Sequence, residues 1–123
     1  AGKLVSSLEL KNEKTSSSKL TLLAEQAIGL SDCGWQELDA IAVGKGPGSY
    51  TGLRIAVSTA KGFCFALDKP LISIDSLTAM ALAAKVGLPM EKMEEWFLCP
   101  MIDARRMEVY SAIFDVKFET FGC

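Results

Sequence analysis

GKGPGSYTGLRIAVSTAKGFCFAL, residues Gly44 to Leu67, reads as a glycine-rich turn that empties into one long helix. Gly44, Gly46 and Gly48 alternate with Lys45 and Pro47. Glycine lets the backbone take positive φ at no steric cost, and proline stiffens the path. Beyond the turn, apolar residues recur at three- and four-residue spacing, and Ser49 or Thr51 is placed to accept a hydrogen bond from a free N–H of the first helical turn. The run Ile41-Ala42-Val43 ahead of the turn suits a buried strand. The local unit is therefore strand, glycine loop, helix.

A helix start beneath a glycine loop favours anions, because its unpaired N–H groups and dipole both attract negative charge. Gly44, Lys45, Gly46, Gly48, Ser49 and Arg54 are accordingly the candidate anion or nucleotide contacts. The specific templates do not fit. A dinucleotide fingerprint needs glycine where Thr51 stands, and a phosphate loop needs serine or threonine after Gly-Lys, where Gly46 stands. Service in a tight strand-to-helix turn is the commoner role of such glycines.

The helix presents two faces. Leu53, Ala56, Val57, Ala60, Phe63, Cys64 and Leu67 make an apolar face wide enough to bury against a sheet. Ile55, Thr59, Gly62 and Ala66 make a second face on which small residues would let another helix approach closely. Glycine inside a helix costs about 1 kcal/mol against alanine, so a compensating contact is expected at Gly62. That contact is either a helix of the same domain or a partner chain.

Outward from this stretch, the 123 residues fit one ordinary domain that is half apolar, with a net charge of -2, which gives no basic nucleic-acid footprint. The longest apolar stretch is interrupted by Arg54 and Lys61 and is too short for a bilayer, and Lys3 to Lys14 is too polar for a signal peptide. Cys33, Cys64, Cys99 and Cys123 form no CxxC pair, which favours a reduced, cytoplasmic setting. There is no histidine, which removes the usual zinc site, the Ser-His-Asp triad and the Cys-His dyad together. No metal site and no catalytic residue is assigned.

Taken in order, Leu4 to Leu10 alternates apolar and polar residues and predicts a strand. Ser16 to Ser18 offers caps for a helix over Lys19 to Leu30, with Leu20, Leu23, Ala24, Ala27 and Ile28 on its apolar face. Trp35 is expected at the edge of the core. After the long helix, Asp68-Lys69-Pro70 stops it, Leu71 to Ile74 is a short strand, and Asp75 or Ser76 caps a third helix over Leu77 to Val86. The alternation of strands and helices argues for an α/β domain with a largely parallel sheet. Trp96 to Ile102 and Glu108 to Asp115 predict an antiparallel hairpin joined by Asp103-Ala104-Arg105-Arg106. Asp103 is expected to cap that turn, and the charges around it to form a solvated cluster worth little. The strand-like KFETF does not follow naturally from Asp115.

Two separated stretches, GKGPGSYTGLRIAVSTAKGFCFALDKPLISIDSLTAMA and IDARRMEVYSAIFD, resemble the bacterial TsaB family, also called YeaZ and formerly described as glycoprotease-like. The resemblance runs from Gly2 to about Asp115. It implies an actin-like ATPase fold of the ribonuclease H type, a mixed sheet flanked by helices. Residues 1–86 would be a partial N-terminal subdomain, and residues 87–123 the start of a second. It further implies a cytoplasmic, non-catalytic scaffold subunit of the machinery that makes threonylcarbamoyladenosine beside the tRNA anticodon. The implied partners are the catalytic subunit TsaD, the ATPase TsaE, tRNA through the complex, and a second copy when the protein is alone. ATP is implied only at the level of the complex, and no membrane association is implied. The family's first two long helices bundle with the partner, which makes Leu20, Leu23, Ala27, Ile55, Thr59, Gly62 and Ala66 the expected partner-helix interface.

The absent histidines fit this family better than the catalytic paralogue, whose metal is held by a His-x-x-x-His pair. The sequence departs from the family in lacking an Asp-Thr-Ala-Thr-like first strand and its paired strand, and in ending before the family's second half. Further residues are therefore expected before Ala1 and between Asp115 and Val116. The alternative function is an enzyme, either a nucleotide-dependent phosphotransferase or a glycoprotease-like peptidase. Against it stand the missing histidine, the failed phosphate signatures and the lack of paired carboxylates.

Overall fold

A computed structural model of the chain describes residues 2–10, 16–88, 96–116 and 120–121. Its elements, in order, are α1 (Ser16–Gly29), a short 3-10 turn (Trp35–Glu37), β1 (Ile41–Gly46), α2 (Tyr50–Leu67), β2 (Leu71–Asp75), α3 (Ser76–Val86), β3 (Phe97–Leu98), β4 (Met101–Arg105), β5 (Glu108–Ser111), β6 (Ile113–Asp115) and β7 (Thr120–Phe121). They divide into two compact units. One holds residues up to Val43 with Tyr50–Ser73; the other holds Gly44–Ser49 with the chain from Ile74 onward.

In the first unit, α1 packs against α2. The face of α2 expected to be buried is the one turned inward: Leu53, Ala56, Val57, Phe63, Cys64 and Leu67 are half-buried and Ala60 is buried. The predicted α1 face behaves alike, with Leu20, Leu23, Ala24, Ala27 and Ile28 half-buried. Helix α1 begins earlier than expected, so Ser16 to Ser18 form its first turn rather than precede it. Trp35 sits at the edge of this packing, its ring 5.0 Å from that of Phe63. The side chain of Glu37 accepts a 2.6 Å hydrogen bond from the Gly34 N–H and so fixes the turn that carries the tryptophan.

The strand expected over Leu4 to Leu10 does not form. Among the described residues this segment has no ladder partner, and a strand cannot satisfy its backbone groups alone. Leu4 and Val5 stay exposed, and the Ser6 hydroxyl ties the segment to α1 by donating to the Ala27 carbonyl at 2.7 Å.

The glycine loop is shorter than the sequence suggested. Gly44 and Gly46 belong to β1, and only Pro47, Gly48 and Ser49 lie between strand and helix. Gly46 has φ 102°, a conformation that demands glycine, and it is buried. Strand β1 pairs with β2. Their approach begins where the Ile41 N–H donates to the Pro70 carbonyl at 3.0 Å.

The core of the second unit is Leu77, Ala81 and Phe114, with Leu98, Ile102 and Ala112 packed against it. The predicted hairpin is present, but Pro100, which has no N–H to give a ladder, and Ala112 lie outside the strands and divide it. Strands β4 and β5 pair antiparallel, Met101 opposite Ser111 and Asp103 opposite Val109. Strands β3 and β6 pair antiparallel in a separate sheet, Leu98 opposite Phe114. After β6 comes buried Val116, and β7 pairs antiparallel with β6, Thr120 opposite Phe114. The Lys85 ammonium donates to the Val116 carbonyl and anchors it to α3. No described helix is long and apolar enough to cross a membrane.

Candidate functional site

The residues expected to meet a partner helix lie on α1 and α2, and the structure separates them into three groups. Leu20, Ala27 and Thr59 converge on one apolar groove of about 310 Å³, together with Ala24, Ile28 and Phe63. Ala66 lines a neighbouring open groove beside Leu22 and Trp35. Leu23 and Ile55 are half-buried and line neither groove, and Gly62 is exposed. Thr59 thus sits against the chain's own helix α1, Ala66 is exposed at a groove that α1 also lines, and Gly62 is exposed and lines neither groove.

Gly62 is the informative position. A Cβ built there would meet nothing within 4 Å, so no neighbour within the described chain explains a glycine in mid-helix. Exposed Ser58, Lys61, Phe65 and Ala66 surround it on the helix surface. The Phe65 ring is 92% exposed. Neither the size nor the exposure of Phe65 was singled out from sequence, because its position between the two recognised faces gave no periodic signal. A flat, small-residue surface beside a bare aromatic ring is chemically suited to close helix packing.

The residues expected to contact an anion are placed differently from one another. Gly44, Lys45, Gly48 and Ser49 are exposed, whereas Gly46 is buried. Arg54 is exposed on α2, where its guanidinium lies over the Tyr50 ring, 5.4 Å from the ring centre, and donates to the Tyr50 hydroxyl at 3.3 Å. Tyr50 was not anticipated, although its spacing of four residues from Arg54 carries the signal. Lys45 makes only a minor charge contribution at Asp75, the N-cap of α3. The Asp75 carboxylate accepts from the Thr78 N–H at 2.9 Å and from the Thr78 hydroxyl at 3.2 Å. The Thr78 N–H bond is the main cause that holds the Asp75 carboxyl below its ordinary value, and the Lys45 charge helps. This arrangement caps a helix, and the sequence had named Asp75 as a candidate for it.

Asp103 also does what the sequence proposed. Its carboxylate accepts from the Arg105 N–H at 2.7 Å and closes the β4–β5 turn. The turn itself is unusual, since Arg105, Arg106 and Met107 take φ of 67°, 55° and 63° in succession without a glycine among them. Among the described residues no cluster of three or more Cys, Asp or Glu side chains is arranged to hold a metal.

With this geometry in hand, the comparisons with known proteins are specific. Residues 10–122 match the family model described as TsaD, tRNA N6-adenosine threonylcarbamoyltransferase. The Haemophilus influenzae tRNA threonylcarbamoyladenosine biosynthesis protein TsaB is 37% identical over 98 residues, which is 80% of this chain and 39% of that protein. The Bacillus subtilis protein of the same name is 38% identical over 90 residues, 72% of this chain and 36% of that protein. A solved Pseudomonas aeruginosa protein, described as similar to the peptidase YEAZ, superposes with a TM-score of 0.72 at 27% identity, covering 89% of this chain and 50% of that one. The chain thus spans between about a third and a half of the length of the relatives it matches. Family model, relatives and superposition agree with the motif at Gly44 to Leu67: the chain belongs to the tRNA N6-adenosine threonylcarbamoyltransferase family, on its TsaB (YeaZ) side, and carries part of that family's actin-like fold.

Proposed function

We propose that the protein to which this chain belongs is a non-catalytic scaffold subunit in the synthesis of threonylcarbamoyladenosine on tRNA. It acts in the cytoplasm by packing helix α2, with α1 beside it, onto a TsaD-type catalytic subunit; a TsaE-type ATPase completes the complex, and tRNA is reached through it. Alone, the same helix face pairs two copies. The observation that carries this reading is Gly62, an exposed mid-helix glycine with open space above it and a bare Phe65 next to it. Such a glycine weakens an isolated helix, and the weakness is offset when another backbone comes close. The names of the Haemophilus and Bacillus relatives support the pathway.

Arg54 is stacked on Tyr50, and only Pro47, Gly48 and Ser49 lie between β1 and α2, so we read the glycine loop as a strand-to-helix turn rather than a phosphate cradle. The test is reconstitution. The full-length protein is combined with its TsaD-type and TsaE-type partners, tRNA, ATP and the threonylcarbamoyl donor, and the modified nucleoside is measured in digested tRNA. Formation that depends on adding this protein is expected. Equal formation in its absence would contradict the scaffold role.

A further inference from the structure

The face proposed to meet the catalytic partner spans two helices, from Leu20 and Ala27 on α1 to Gly62 and Ala66 on α2. Such a face is only as well defined as the angle and spacing between the helices, which the side chains at their contact determine. We infer that Trp35, held by Glu37, is a positioning residue for that face: it wedges against α2 at Phe63 and fixes how α1 and α2 are presented to the partner; this rests on the scaffold reading.

Trp35 and Phe63 line both apolar grooves, the one that holds Thr59 and the one that holds Ala66. Their rings lie 5.0 Å apart and are tilted by 31°, so the pair forms a wall between the grooves. On one side of it stand Leu20, Ala27 and Thr59, and on the other Ala66, so interface residues of both helices are placed against it. The rest of the helix contact is thin. Among the α1 and α2 residues whose burial is described, only Ala60 is buried, and its methyl group is too small to lock an angle. Half-buried Trp35 brings a far larger apolar surface to the same contact.

Trp35 is itself tied down from the α1 side. The Ser31 hydroxyl donates to the Ile28 carbonyl at 2.7 Å, at the end of α1, and accepts from the Cys33 N–H at 3.3 Å. The Glu37 carboxylate then accepts from the Gly34 N–H at 2.6 Å, and the Glu37 N–H donates to the Gly34 carbonyl at 3.1 Å. These bonds leave the short path from α1 to Trp35 little freedom, so the ring transmits the position of α1 to α2. A surface ordered before binding loses less entropy on docking.

Calorimetry on the full-length protein and its TsaD-type partner, well below the melting temperature of each variant, tests this. Trp35→Ala is expected to bind about tenfold or more weakly, and Trp35→Phe, which keeps a ring against Phe63, within about threefold of wild type. Glu37→Ala frees the turn but keeps the ring, and binding about threefold weaker is expected; Glu37→Gln, which can still accept from the Gly34 N–H, restores it. A residue that served folding alone would lower the melting temperature of the alanine variants and leave the affinity of the folded protein at the wild-type value. That result in Trp35→Ala would overturn the inference and leave the scaffold reading intact. Should Trp35→Ala not fold, the same result in Glu37→Ala would overturn it. A Trp35→Phe protein that binds no better than Trp35→Ala would overturn it as well. If the wild-type protein does not associate with the partner, the scaffold reading fails and this inference fails with it.

Discussion

Asp75 shows how much a single side chain can settle. Its carboxylate accepts from both the N–H and the hydroxyl of Thr78, so it closes the first turn of α3 where the strand β2 ends. Replacing it by alanine removes the cap and is expected to lower stability by about 1 kcal/mol in thermal or chemical unfolding. The pH dependence follows from the direction of the shift. A carboxyl held below its ordinary value in the folded chain stabilises it fully above the unfolded value, and that contribution is lost as pH falls through the lowered folded value. The gap between wild type and Asp75→Ala should therefore be constant near neutrality and close in acid; a gap that widened in acid would contradict the assignment. Asp75 and Asp103 were both legible in the sequence, because a short acid before a helix or in a turn has few other uses. The small influence of the Lys45 charge on Asp75 was not legible, since it depends on which strands pair.

At the scale of the element, helix α2 was the most legible part of the chain. Its inward face follows the spacing of Leu53, Ala56, Val57, Ala60, Phe63, Cys64 and Leu67, because a helix of 18 residues repeats its signal several times. The first strand failed for the opposite reason. Alternation over Leu4 to Leu10 states only which residues would share a face, while the partner that makes a strand is supplied elsewhere. Gly62 separates two effects within α2. With open space above it, Gly62→Ala is expected to raise the stability of the isolated protein by about 1 kcal/mol, read by thermal unfolding. A loss of stability would reveal a hidden internal neighbour. The β4–β5 turn behaves similarly: Arg106→Asn/Met107→Gly relieves left-handed strain at two residues and should stabilise the hairpin by about 1 kcal/mol or more. No gain would mean that the wild-type turn is not strained.

For the whole molecule, the glycine-helix motif and the later IDARRMEVYSAIFD segment were sufficient to reach the family, and the match over residues 10–122 bears that out. The arrangement of the expected interface was less legible. Sequence spacing put Thr59 with Gly62 and Ala66, but the rotation of α2 against α1 turns Thr59 into the groove with Leu20 and Ala27 and leaves Gly62 outside. Periodicity tells which residues share a stripe; only packing tells where the stripe meets solvent.

The scaffold reading therefore depends on one exposed stretch of helix, and the decisive variant is a large side chain at Gly62. Light scattering after size-exclusion chromatography, on the full-length protein alone and mixed with its TsaD-type partner, measures this directly. The account predicts a stable mixed complex for wild type and for a variant changed away from α2, and its loss in Gly62→Trp with the monomer still folded. A mixed complex that survives Gly62→Trp undiminished would contradict it.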